Sequence, residues 1–504
     1  MPTATLNSEN FDAGLLISHF GRSCCVEYLT AYLGELQATG VVIEGHYVDR
    51  HYLDDYVGYY AKSFDAPSPA SSRVHFFSKF SKDQLEAIMA TAYQSEADRA
   101  EAEKKLQEHY LGFVVRRPLK SARIGRTVLK TYPIDGRRHY EVLRPYRVHL
   151  AGLRLTIAGL AYQQQDGGAA VCASTSLWVA LQMVAKTAGH RTPTPAAITE
   201  AAKSPYPASH GLNEVQMASA LSSMGYIADY FTPGDNLPLF RAKLVSCLES
   251  QLPVILLLIR KTKTDSGTVT VGHAVTATGF SEPSSIVNIP SSMPGRQPIM
   301  MRSGSVEVLH VHDDNLGSHA HYEIFESDDR DADGNSIQML RRGRKDRLVP
   351  WWNVDEWTVV GALVPKPDKL RLPVENLFSI LTWIRPLLEK ALPGLKLHFS
   401  TRFSTGVGYK RSLVERALRP SEVREFSETT ALPRHIGIIA VYVDNILVLE
   451  TVVDVTEIQR DREKPPVVGL VGVGVPPGSE AAKKIQSIAD QFGVSLLTQP
   501  DDHS

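Results

Sequence analysis

Cysteine is scarce, with four in 504 residues, and that count excludes a secreted disulfide framework. Net charge is almost missing too. The 54 basic and 55 acidic residues leave −1, so no general attraction to nucleic acid or acidic lipid follows. Long apolar runs are absent: VILLLI and IGIIAVYV fall well short of the ~20 residues that span a bilayer, and no membrane association is expected. The opening MPTATLNSENFDAGLL lacks a basic leader and a sustained apolar core, which points to a reducing cytoplasm. No unit of about 20 to 50 residues repeats, which excludes a solenoid. Gly472, Gly474 and Gly478 lie in a strand, turn, helix pattern but lack the Gly-Lys-Ser/Thr ending and the dinucleotide spacing. They read as a tight turn, and no cofactor is called for.

What the chain does have is an ordered trio. Cys172 opens an apolar helical run, CASTSLWVALQMVAKTAG. A cysteine at the first turn of a helix meets unpaired amides and the positive end of the dipole, an environment that favours thiolates. About a hundred residues later, His273 lies in TVTVGHAVTATGF, whose β-branched residues and glycines predict a buried strand ending in a turn. Next, SVEVLHVHDDNLGSHAHYEIF predicts two strands joined at DDNLG, which places Asp313 or Asp314 beside the histidine. Cysteine, histidine and acid need to be close only in the fold. Cys247 reads as core. Vicinal Cys24 and Cys25 read as reduced packing residues.

The stretch from about Tyr162 to about Val364 resembles the papain-like cysteine peptidase superfamily, above all the bacterial peptidase domains that cut leader peptides in bacteriocin exporters. The order of parts is similar: a glutamine-containing lead-in, the cysteine helix, two further helices, the GHAV strand and an acid-then-glycine turn. The resemblance implies Cys172 as nucleophile, His273 as base and an orienting acid, with Asp313 fitting the exporter spacing and Asp314 the papain spacing. It also implies an oxyanion glutamine. The expected position, six before the cysteine, holds Asp166, so Gln165 or Gln164 takes that role after a one-residue bulge. Ala173 follows the nucleophile where the family commonly has glycine.

The expected fold class is α+β, a papain-like domain over residues 156–365 flanked by two mixed α/β domains of unknown role, 1–155 and 366–504, with PKPDK as the second linker. In the first domain, KDQLEAIMATAYQSEADRAEAEKKLQEHYLG predicts one long helix. The basic stretch after it, Arg116 to Lys130, predicts a solvated sheet face. In the last domain, IGIIAVYVDNILVLETVVDV predicts a hairpin turning at Asp444 and Asn445. His310, His312, His319 and His321 form two His-x-His pairs, consistent either with a metal site or with strand residues sharing a solvent-facing side.

The function expected is cleavage of a peptide or isopeptide bond in a protein or peptide substrate, with flanking domains that select a protein partner. Deamidation or acyl transfer on the same site, and an inactive papain-like scaffold used for protein binding, are the alternatives.

Overall fold

The apolar run after Cys172 folds as a helix, Cys172–Ala188, buried from Ala173 to Ala185 and ended by Gly189 at φ 79°. The structure, a computed structural model, describes residues 6–132, 137–166, 168, 171–204, 211–264, 267–290, 297–330, 334, 336–342, 355–416, 418, 420–456, 465–475 and 478–498.

Around this helix the described residues form four sheets. Strands β1 (Leu6–Asn10), β2 (Ala38–Tyr47), β3 (Ser71–Ser78), β4 (Tyr110–Arg116) and β5 (Ile124–Leu129) make an antiparallel sheet in that order. After β6 (Arg138–His139), β7 (Arg144–Leu150) and β8 (Leu153–Gly159) form a separate hairpin. Next along the chain come β9 (Tyr226–Phe231), β10 (Val254–Thr264), β11 (Gly267–Ser281), β12 (Val287–Ile289) and β13 (Ile299–Met301). They are followed by β14 (Val308–Asp313), β15 (Gly317–Arg330), β16 (Ser336–Arg342) and β17 (Glu356–Pro367). The central sheet runs β10-β11-β14-β15-β16-β17, all antiparallel, and β17 pairs back to β10, so the ring closes. Strands β9 and β6 attach to β17 and β11. β18 (Leu397–Thr405), β19 (His435–Val443), β20 (Ile446–Asp454), β21 (Val467–Gly472) and β22 (Leu496–Leu497) complete the last sheet.

The class is therefore mixed α+β with antiparallel sheets, as expected. The hairpin at Asp444 and Asn445 forms, both residues having positive φ, and the strand, turn, helix, strand ending is also found. Pairing nevertheless crosses the expected boundaries. β6 joins the central sheet, and the β12–β13 hairpin edges the last sheet, where Met301 pairs with Phe399. PKPDK is not a free linker: β17 runs through Pro367, and Lys366 is buried, its Nζ 2.9 Å from Asp229 Oδ2 and from the Leu372 carbonyl. The one long helix expected is two, Lys82–Thr91 and Glu96–His109, because Ser95 caps the second with its side chain. The basic stretch is not wholly solvated either. Arg117 is buried against Asp166 at 3.4 Å, and Arg126 pairs with Asp49 at 2.7 Å.

One continuous apolar core runs from Leu15 to Ala489 through all three large sheets. Polar ties lock the segments together where that core is crossed. Trp178, on the cysteine helix, is fully buried and donates to His51 Nδ1 at 3.0 Å, and the Ser246 and Thr401 hydroxyls meet at 3.1 Å. Truncating a ring like that of Trp178 typically costs about 3–5 kcal/mol.

Burial depresses His51 to about 3 and His75 and His312 to about 4, from an ordinary value of 6.5. A histidine held neutral in the folded chain takes up its proton first when unfolded. Its contribution is present above pH 6.5 and is lost as pH falls towards the folded values. The fold should accordingly lose stability progressively between about pH 6.5 and 4, which urea unfolding midpoints across that range would read. A flat midpoint would mean that proton uptake by the raised carboxyls Asp314 and Glu249 offsets these rings over the same range.

Candidate active site

The cysteine helix is held in register by two bonds to β11. Ser176 Oγ donates to the Ala274 carbonyl at 2.8 Å, and Thr276 Oγ1 donates to the Ser176 carbonyl at 3.1 Å. Cys172 lies one turn before Ser176 and His273 one residue before Ala274, so these bonds bring the two together. Cys172 is the first residue of the helix, after Val171 in extended conformation, and no acidic side chain occupies that turn to offset the positive dipole end. The thiol is half-buried, lies within interaction range of the imidazole and favours its charged form.

The histidine is buried, and its Nε2 is 3.0 Å from Asp313 Oδ1 and 3.8 Å from Asp314 Oδ1. Burial works to keep His273 neutral, but Asp313, the contact with Cys172 and the charge of Asp314 outweigh it and raise its pKa well above the ordinary value. Asp313 is buried too. Desolvation alone would raise it, yet His273, the Arg342 guanidinium at 3.7 Å and the donating Tyr322 hydroxyl hold it far below the usual carboxylate range. Asn315 N adds a hydrogen bond at 3.0 Å. Asp314 goes the other way: burial, with repulsion from Asp313 added, outweighs the attraction of His273 and pushes it up. The two acids left open by sequence thus differ in geometry and in charge, and Asp313 is the one aimed at the ring.

The two glutamines also separate. Gln165 Nε2 donates to Asn315 Oδ1 at 2.6 Å, which places it beside the acid turn. Gln164 is tied to the first sheet, its main-chain N donating to the Ile124 carbonyl at 3.1 Å and its Oε1 accepting from Ile124 N at 3.4 Å, so it is not brought to the site. Asp166 is turned inward against Arg117 and accepts from Gly168 N at 2.9 Å.

Sequence reasoning missed Tyr322, Arg342, Asn315 and Trp357. The Trp357 ring lies 5.4 Å from that of His273, and the Arg260 guanidinium covers Trp357 at 4.6 Å. Tyr322 and Asn315 flank the acid turn within a single hairpin and were open to discovery by strand pairing. Nothing local marks Arg342 or Trp357. The helix Cys24–Glu35 was missed as a support for the site. Its Tyr28 donates to the Ser318 carbonyl at 3.1 Å, and the same ring fills the space in which a Cβ on Gly317 would stand, 2.2 Å away. Cys25 is buried beside the Asp314 carbonyl, but Cys24 is exposed and so is not the packing residue expected.

Among the described residues, His273, Asp313 and Asp314 are the only group of three or more His, Cys, Asp or Glu ligand atoms lying within 4.8 Å of one another. The ligand atoms of His273 and Asp313 are already committed to Cys172, Tyr322, Asn315 and Arg342, an arrangement suited to proton transfer. The His-x-His pairs do not share a solvent-facing side: His310, His312 and His319 are buried. His312 Nε2 donates to the Leu160 carbonyl at 3.1 Å, while its Nδ1 accepts from His319 N at 3.0 Å. The rings pack in pairs, His310 with His321 at 4.7 Å and His312 with His319 at 4.5 Å, but no three of them bring nitrogens within 4.8 Å of one another. No helix among the described residues is long and apolar enough to cross a membrane. No protein-family model matches the chain, and no curated protein matches it significantly.

Replacing Asp313 with Asn should slow modification of Cys172 by about 10²–10⁴-fold, because the imidazole loses both its orientation and its counter-charge. Asp314→Asn should change the rate less, since its carboxyl stands farther from the ring, at 3.8 Å, and its push on His273 is smaller than that of Asp313. Measured labelling rates that fall equally in the two variants would remove the distinction between the acids.

Proposed function

We propose that the protein is a papain-like cysteine hydrolase acting on peptide or isopeptide bonds in a reducing cytoplasm. The observation that carries this reading is the line from Cys172, at the start of its helix, through His273 to the Asp313 carboxylate at 3.0 Å. The Cys172 sulfur attacks the carbonyl carbon while His273 holds the thiol proton as imidazolium. The oxyanion is met by the Cys172 main-chain N–H, one of the unpaired amides at the helix start, and by the Gln165 amide once it leaves Asn315. Collapse breaks the C–N bond and returns the proton from His273 to the leaving amine. Water, deprotonated by His273, then cleaves the thioester and releases the acid. Trp357 shields the imidazole from bulk water, and Asp313 fixes its orientation. Acyl transfer to an amine, or deamidation of a side-chain amide, uses the same steps with a different acceptor or leaving group.

An inactive protein-binding scaffold is the second reading. Its support is specific: the Gln165 amide is occupied by Asn315, and Ala173 replaces the small glycine after the nucleophile.

Brief iodoacetamide treatment at neutral pH should modify Cys172 fastest. Burial pushes the Cys25 and Cys247 thiols up, and burial also raises Cys24, although that side chain is exposed and will label slowly. His273→Ala should abolish the fast phase, and Gln165→Ala should lower turnover of a peptide substrate by ~10²–10³ while sparing the labelling. Mass-spectrometric mapping that finds Cys172 no faster than Cys24 would favour the scaffold reading.

A further inference from the structure

A cavity lies away from Cys172, between the end of the central ring and the last sheet. It has a volume of about 190 Å³. Its walls carry two cross-strand stacked pairs, His139 on Phe280 at 5.0 Å and 16°, and His398 on Tyr442 at 5.3 Å and 15°. Its polar groups are unevenly matched. Arg302 is answered by Glu282 at 2.9 Å, and the same carboxylate is 2.6 Å from His139. Glu249 is not answered: it makes no hydrogen bond or ion pair with a described residue.

Its position makes that lack costly. Glu249 is the last residue of the helix Leu237–Glu249, where the negative end of the dipole disfavours an anion. Arg402, the cation acting on it, is already bound to Glu450 at 2.9 Å. Glu249 is half-buried and lines this cavity together with a neighbouring cleft that Gln251, Arg402 and His435 also line. Burial, reinforced by Glu141 and Glu282 and opposed by Arg402, pushes it up to about 7.

We propose that this cleft binds a small planar organic cation, a guanidinium or amidinium compound, with Glu249 as its counter-charge. A fork of two N–H groups fits one carboxylate with two parallel bonds, and a flat cation stacks on the faces of the aromatic pairs where a compact ammonium does not. The volume is below the ~300–1,000 Å³ of drug-sized pockets, which limits the ligand to a small molecule. The site stands independently of the chemistry at Cys172.

The test uses the full chain at about pH 8, where Glu249 is ionised. Calorimetric titration should find saturable millimolar binding of agmatine and of acetamidine, with butylamine weaker. Glu249→Gln should weaken agmatine at least about tenfold, the loss of one charge-assisted contact. Tyr442→Leu should weaken it several-fold, and it serves as the second variant if the first does not fold. Absence of saturable agmatine binding, equal binding of butylamine, or an unchanged affinity in Glu249→Gln or, in its place, Tyr442→Leu would overturn the proposal.

Discussion

Burial of the Asp313 carboxylate is the constraint on which the site is built. A lone carboxylate at that depth costs several kcal/mol, and it persists only with its lone pairs and charge answered. The answers come from separate parts of the ring: His273 from β11, Asn315 from the turn, Tyr322 from β15 and Arg342 from β16. Pairing of β11, β14, β15 and β16 as successive neighbours is what brings these residues to one carboxylate. The same charge holds the imidazole protonated and adds to the burial that pushes Asp314 up.

The turn that carries this anion is braced from outside the central segment. Tyr28 occupies the space above Gly317, so a side chain there would collide with the ring, and Cys25 sits against the Asp314 carbonyl. The N-terminal segment is thus part of the scaffold around His273 and Asp313. It presses on the turn that aims Asp313, and β6 extends the sheet that carries His273. The first segment and the acid turn are thereby joined through packing.

The parts of this arrangement legible in the sequence are those with local patterns. The cysteine helix announces itself by a long apolar run, the His273 strand by β-branched residues, and the acid turn by DDNLG between two alternating stretches. Choosing between Asp313 and Asp314 required side-chain direction, which spacing does not supply. The histidine pairs misled because alternation tells only that His310, His312, His319 and His321 share a face; ring closure makes that face largely interior. PKPDK looked like a linker because proline and lysine are common there, but Asp229, far earlier in the chain, recruits Lys366 into the core. Arg342 and Trp357 were invisible for the same reason: their roles exist only after long-range pairing.

The displaced glutamine has a cause in the same long-range chemistry. Asp166 stands where a papain-like chain would carry its oxyanion amide, and it is drawn inward by Arg117, a buried cation whose Nη2 also donates to the Ala122 and Gln164 carbonyls at 2.6 and 2.7 Å. Removing that acid would strand a buried guanidinium, a change that typically costs about 3–5 kcal/mol. Position 166 is therefore committed to the fold. Adjacent side chains in an extended segment diverge, so an inward Asp166 leaves Gln165 directed at the acid turn, where it meets Asn315. The one-residue shift follows from that ion pair, and under the proposed hydrolase reading Gln165 must leave Asn315 before it can meet an oxyanion.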